Sequence, residues 1–250
     1  MVYELVAGML AGRNELHTSI GVSVDILGRR MSGDMNTSLG NGFTNWMLAR
    51  FIIEEQQGKR LYGFVEGDDG LFVTDGVLTK EMYACLGFTI KIDTFDDPCV
   101  ASFCGLVFSS AGEIIRDPVK FLMGAGWTSS FVHAGERVMD ALLMAKCLSV
   151  LCETPNCPIV GAWAEEGIRR SHGVAPRWVD DGYHVHTSSV RAFAPTPEVR
   201  ALFASRYNIS VSAQLLIEAA IRADDFASVF RLVPFPPECS RWASRYVVVG

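Results

Sequence analysis

The sequence predicts an α+β fold, with short strands and one long helix first and a mainly helical remainder. Three observations predict it. Two runs of β-formers, Leu61 to Glu66 and Leu71 to Thr74, flank the turn formers Gly67-Asp68-Asp69-Gly70, which is a β-hairpin pattern. A proline-free stretch from Asn36 to Gln57 carries Leu39, Phe43, Trp46, Met47 and Phe51 at helical spacing. Composition shifts near Ala111 to Pro118, and helical patterns dominate beyond it.

The elements follow in order. Met1 to Met9 has no basic flank and carries Glu4, so it reads as the end of a helix rather than a signal peptide. Ile20 to Leu27 is a strand-like run, and Ser32 or Asp34 is available to cap the helix after it. Beyond the hairpin, Arg137 to Cys152 is apolar at helical spacing and stops before Pro155. Thr196-Pro197-Glu198 is a cap followed by proline at the first helical position, and opens a helix to about Tyr207. Ser210 or Ser212 opens another through Ala223, Gly173 to Pro195 is a polar loop, and the tail at Pro234 to Pro237 is extended. Trp127, Trp163, Trp178 and Trp242 are expected to pack.

Composition sets outer bounds. The chain has 250 residues, 49% of them hydrophobic, with a mean hydropathy of +0.22. That suffices for a substantial core in one or two domains. No apolar run approaches the ~18 residues of a membrane span. The net charge of −6 runs against a basic nucleic-acid-binding face. Basic residues do cluster locally, at Arg29 and Arg30, at Arg116 and Lys120, and at Arg169, Arg170 and Arg177. Seven cysteines without a secretory signal suggest reduced thiols. Cys147, Cys152 and Cys157, with His172 after them, lack the paired spacing of zinc ligands, and His184 and His186 read as loop residues.

The chemistry rests on two short segments. Phosphoryl transfer to a 3′-hydroxyl uses two divalent cations roughly 3.5–4 Å apart. Mg²⁺ takes hard oxygen ligands, one or two carboxylates plus substrate phosphates. A hairpin tip bearing Asp68 and Asp69 offers such carboxylates, although Asp-Gly is also a common plain turn. Upstream, Ser32-Gly33 precedes the helix, and Gly33 gives that loop backbone freedom. Thr37 and Asn41 are four apart and share a helix face. Both can bond a ribose, whose 2′-hydroxyl separates RNA from DNA.

Ser32, Gly33, Thr37 and Asn41 fit Ser-Gly-x-x-x-Thr-x-x-x-Asn, and this spacing resembles motif B of positive-strand RNA virus polymerases. Gly67-Asp68-Asp69 resembles motif C. The string from Arg30 to Asn41 looks most like tombusvirus-like and noda-like polymerases. Leu86 to Lys91 is similar to motif D, and Phe103-Cys104-Gly105-Leu106 to motif E. The resemblance covers about Arg13 to Pro118 closely. It implies a right-hand polymerase fold: a partial palm at 1–112, an antiparallel sheet with helices, then a mainly α-helical thumb at 113–250. The fingers and motif A are not found.

The resemblance further implies an RNA-directed RNA polymerase. Asp68 and Asp69 would hold Mg²⁺ or Mn²⁺. Ser32, Gly33, Thr37 and Asn41 would contact the nucleotide. Lys91 would protonate the leaving pyrophosphate, and Phe103 and Cys104 would support the primer end. The partners implied are template and primer RNA, nucleoside triphosphates, and an N-terminal polymerase region or another replicase chain. The location implied is the host cytoplasm, at membrane-associated replication complexes. Motif A carries two aspartates with four or five residues between them, and only Asp25 precedes Asp34 here. That aspartate is given no metal role, and motif A is expected ahead of Met1. A reverse transcriptase fits less well, because Val65-Glu66-Gly67 precedes the acid pair. A non-catalytic RNA-binding or replicase-interaction module, or one chain of a split polymerase, stays open.

Overall fold

The computed structural model describes residues 4, 13–18, 20–28, 30, 36–126, 128, 131–177 and 190–237. Ser32, Gly33, Asp34, Arg29, Trp127, Trp178, Trp242, His184 and His186 lie outside them. The chain forms two compact units, Met1–Thr94 and Phe95–Gly250. Among the described residues no helix is long and apolar enough to cross a membrane.

In the first unit, β1 (Arg13–His17) pairs antiparallel with β2 (Ser23–Leu27), Arg13 opposite Leu27. The connection is tied by the Thr18 N–H donating to the Val22 carbonyl at 2.9 Å. Helix α1 (Thr37–Arg50) follows and runs without a break into a π-helical turn, Phe51–Glu55. Its N-cap is Asn36, which makes no side-chain capping bond. Next comes a hairpin of β3 (Leu61–Glu66) and β4 (Asp69–Thr74), then α2 (Lys80–Cys85), capped by the Thr79 hydroxyl, which accepts from the Met82 N–H. Residues 88–95 have no regular secondary structure.

The buried face of α1 is not the one its large residues predict. Leu39 is 79% exposed and Phe43 65%, and Met47 and Phe51 are exposed too. Gly42, Asn45 and Ala49 are buried instead. The cause is a close approach. A Cβ on Gly42 would lie 3.5 Å from Val65 Cγ2, so the helix meets the hairpin through small residues. The unit's small core joins Ala49, Ile53 and Leu61 with Phe72 and Leu78. Trp46 reaches Phe72 with ring centres 5.9 Å apart.

The second unit opens with a three-stranded antiparallel sheet, β5 (Ser102–Phe103), β6 (Leu106–Phe108) and β7 (Ile114–Arg116), in the order β5-β6-β7. Among the described residues six helices follow: α3 (Pro118–Gly124), α4 (Glu136–Glu153), α5 (Val160–Arg170), α6 (Pro197–Tyr207), α7 (Val211–Arg222) and α8 (Phe226–Leu232). Asp117, Thr196, Ser210 and Asp225 cap α3, α6, α7 and α8, each accepting from a first-turn N–H. Val107 and Ile115 from the sheet share one core with Phe121, Cys147, Val160, Phe203 and Ile217 from the helices. The sheet thus packs within the second unit, which begins at Phe95. Phe121 meets Trp163 edge-on, with ring centres 5.1 Å apart. Cys147 and Cys157 are buried, and desolvation pushes each thiol up to about 12, so both behave as inert core residues.

The β5–β6 turn yields a prediction. Phe103 pairs with Leu106, leaving Cys104 and Gly105 as a two-residue turn with φ of 52° and 77°. Two positive φ values define a type I′ turn, which favours asparagine or glycine first. A residue other than glycine or asparagine costs about 1 kcal/mol there. Cys104→Asn is expected to raise the melting temperature by roughly 2–4 °C for a chain of this size, read in a thermal scan. An unchanged or lower midpoint would show that cysteine makes compensating contacts.

Candidate active site

The acid-bearing turn is built by its glycines. Glu66 pairs with Asp69, so the hairpin loop is only Gly67-Asp68. The sequence suggested a four-residue turn; instead Asp69 and Gly70 begin β4. Gly67 adopts φ 57° and Asp68 does not share a positive φ. Glycine first with positive φ alone is the pattern of a type II′ turn, whose twist matches the flanking strands. Both aspartates are exposed. Among the described residues their carboxylates make no hydrogen bond or ion pair, so both keep their oxygens available.

Helix α1 holds this turn at two points. The Asn45 side-chain amide donates to the Asp68 carbonyl at 3.0 Å. The Ser38 hydroxyl donates to Glu66 Oε1 at 2.7 Å. Gly42 sits between them, and a Cβ there would lie 3.6 Å from the Gly67 nitrogen. Gly70 also leaves space, since a Cβ would fall 2.9 Å from Asn45 Nδ2. The face bearing Thr37 and Asn41 is therefore on the same helix that carries the turn.

Asn41 is half-buried, and its Oδ1 accepts from Arg30 Nη1 at 2.7 Å. Arginine only donates, so the Asn41 oxygen must face it and the NH₂ group faces elsewhere. Arg30 also lies over Gly40, where a Cβ would fall 2.7 Å from the guanidinium carbon. Thr37 begins the helix and is half-buried.

The other expected site residues are placed separately. Lys91 belongs to the first unit, is exposed in an irregular segment, and pairs with Asp93 at 3.0 Å. Phe103 and Cys104 belong to the second unit, on β5 and its turn. Asp25 lies on β2 opposite Glu15. Among the described residues no three His, Cys, Asp or Glu side chains converge as a metal cluster. The donor set still suits part of a Mg²⁺ site, since two adjacent carboxylates are what the protein supplies when phosphates fill the rest.

Of the basic clusters, Arg169 and Arg170 are engaged by Glu166 on their own helix. The Arg169 hydrogen bond, then the Arg170 one, hold the Glu166 carboxyl down to about 2. Arg116 pairs with Glu153 at 3.0 Å and stands 5.6 Å from the Phe121 ring centre.

Sequence reasoning missed Asn45, Ser38 and Glu66. The available signal was spacing: Asn41 and Asn45 are one helical turn apart, but an asparagine in mid-helix also reads as a solvated polar residue. No curated protein matches the chain. Residues 10–93, which hold α1 and the aspartate turn, match the family described as viral RNA dependent RNA polymerase, and to that family this segment is similar.

Proposed function

We propose that this chain carries the nucleotide-reading helix and the aspartate turn of an RNA-directed RNA polymerase that copies viral RNA. The observation that supports it is the docking of the acid-bearing turn onto the Thr37–Asn41 helix through Asn45 and Ser38. Within that reading, 1–112 is palm and 113–250 is thumb. The lineage would be tombusvirus-like or noda-like, on the string from Arg30 to Asn41.

In the reaction, a primer 3′-hydroxyl gives its proton to solvent water, and its oxygen forms a bond to the α-phosphorus of a ribonucleoside triphosphate. The bond to pyrophosphate breaks, and pyrophosphate leaves. Asp68 and Asp69 would hold Mg²⁺ or Mn²⁺, which supplies Lewis-acid activation and neutralises phosphate charge when bound. Ser32, with Thr37 and Asn41, would read the incoming ribose, and Gly33 would let the loop flex. Lys91 would give its proton to the departing pyrophosphate. Its pair with Asp93 is exposed, worth little in water, and readily exchanged for a phosphate partner. Phe103 and Cys104 would support the primer end. The second carboxylate site would come from polypeptide outside these 250 residues.

Asn41 acquires a definite polarity here. With Oδ1 taken by Arg30, it would donate its amide hydrogens to a ribose hydroxyl oxygen. Asn41→Asp keeps a partner for Arg30 and removes the donor. It is expected to lower the preference for ribo- over deoxynucleotides roughly fivefold, the value of one neutral hydrogen bond. Competition between the two triphosphates in a primer-extension assay measures this. An unchanged preference would assign Asn41 to anchoring Arg30 alone.

The test of the proposal is template-directed ribonucleotide incorporation with Mg²⁺ or Mn²⁺. The chain is assayed alone and together with a polypeptide carrying the paired aspartates of motif A. Synthesis that needs the second chain supports the polymerase reading in its split or completed form. RNA binding with no synthesis under either condition would make the chain a non-catalytic RNA-binding module.

A further inference from the structure

The Asp68 carbonyl and the Asp69 N–H belong to one planar peptide unit. Fixing that plane fixes the chain rotation at both aspartate Cα atoms. It therefore sets the directions in which both Cα–Cβ bonds, the stems of the two carboxylates, leave the backbone. Asn45 Nδ2 donates to this carbonyl at 3.0 Å. Asn45 itself is 9% exposed, in a helix that touches the hairpin through Gly42. A buried amide is costly unless bonded, so this contact is the condition on which an asparagine can stand there. The turn accommodates it, since glycine at position 70 leaves open the volume into which a Cβ would bring a contact of 2.9 Å with Nδ2. Ser38 and Glu66 make a second tie, but an exposed one that water can replace.

We infer that Asn45 is a positioning residue for the acid pair. It clamps the Asp68–Asp69 peptide plane to α1, so that the Cα–Cβ stems of both carboxylates keep one direction relative to the face bearing Thr37 and Asn41. Its consequence for metal binding rests on the polymerase reading; its effect on the turn does not.

The test uses the full 250-residue chain as wild type, Asn45→Leu and Asp68→Asn. Leucine keeps the branching of asparagine with bulkier methyl groups and removes the donor. If Asn45→Leu does not fold, Asn45→Ala carries the same comparison with a smaller side chain. The first readout is amide hydrogen exchange. Exchange at Asp69 and Gly70 is expected to rise at least about fivefold on loss of one hydrogen bond, while Leu61 to Gly63, at the far end of the hairpin, stays unchanged. An equal rise along both strands is what a general packing role gives, and it would overturn the proposal, as would no rise at the turn. The second readout is binding of Mn²⁺ alone, followed by electron paramagnetic resonance. Asn45→Leu is expected to weaken it about 10–100-fold, as for other partners that orient a metal ligand. A curve matching wild type would overturn the positioning role. If Mn²⁺ binds Asp68→Asn as tightly as wild type, or does not bind wild type, the metal reading fails instead. Hydrogen exchange then still decides on Asn45.

Discussion

Asp68→Asn is expected to reduce RNA synthesis by at least about 10²–10³-fold, the scale on which removing one preorganised group that meets developing charge acts. It is expected to leave stability within about 0.5 kcal/mol, as for a surface substitution away from special features. The argument is that the two effects separate. Asparagine has nearly the shape of aspartate. The Asp68 side chain is exposed and bonds to nothing among the described residues, so the fold does not lean on its charge. What the fold does hold is the Asp68 backbone carbonyl, through Asn45, and that contact survives the substitution. A loss of synthesis with an unchanged melting curve would therefore report on the carboxylate itself. Asp69 faces a different test. It pairs with Glu66 in the ladder, and Glu66 is tied to Ser38. Asp69→Asn is expected to cost less in synthesis if Asp68 is the principal ligand. The assay is primer extension in both Mg²⁺ and Mn²⁺, with the chain in whatever assembly supports wild-type synthesis. Retained synthesis by Asp68→Asn would remove the acid pair from the chemistry.

Legibility differed between backbone and packing. The hairpin at 61–74 could be read because β-formers flank turn formers, and backbone chemistry alone decides such an element. The turn length could not, because it depends on Gly67 taking φ 57° and letting Asp69 enter the ladder. The long helix could be read from its spacing and lack of proline. Its buried face could not, since Leu39 and Phe43 look like core and Gly42 and Asn45 do not. The distance of closest approach to Val65 decides the matter, and a sequence pattern does not contain that distance. In the second unit, α4 was legible from its apolar spacing, and α6 and α7 from their caps. Helix α5 was missed because it starts after Ile159, at φ 66°, with no capping side chain, and α3 and α8 because seven residues each are too few to show a period. Of the expected site residues, Asp68, Asp69, Thr37 and Asn41 lie on elements joined in one unit, and Lys91 is in that unit too. Phe103 and Cys104 are in the other unit, and Ser32 and Gly33 lie outside the described residues.

Arg200→Ala is expected to destabilise the second unit by about 3–5 kcal/mol, the cost of stranding a buried charge. Glu218 is 3% exposed and would be that charge. Arg200 grips it at both oxygens, Nη1 to Oε1 at 3.0 Å and Nη2 to Oε2 at 2.9 Å. Oε1 also accepts from the Ile159 N–H at 3.1 Å. That bond matters because a β-branched residue with positive φ is held only when its surroundings over-determine it. Gln214 closes the network, donating to the Arg200 and Ile209 carbonyls, each at 3.0 Å. One carboxylate thus joins α6, α7 and the start of α5. The double variant Arg200→Ala with Glu218→Gln removes the charge but keeps an acceptor for Ile159. It is expected to recover about half of the loss, since an unpaired amide is far cheaper to bury than an unpaired carboxylate. Urea unfolding followed by tryptophan fluorescence and circular dichroism measures both variants. If Arg200→Ala costs under about 1 kcal/mol, water reaches Glu218 and the pair is an ordinary surface bridge. If the double variant is no better than the single, the stabilisation lies in the packing of the arginine stem. Only recovery on removing the charge identifies Glu218 as the residue that Arg200 exists to neutralise, and through it Ile159 as the point where the helical unit is pinned.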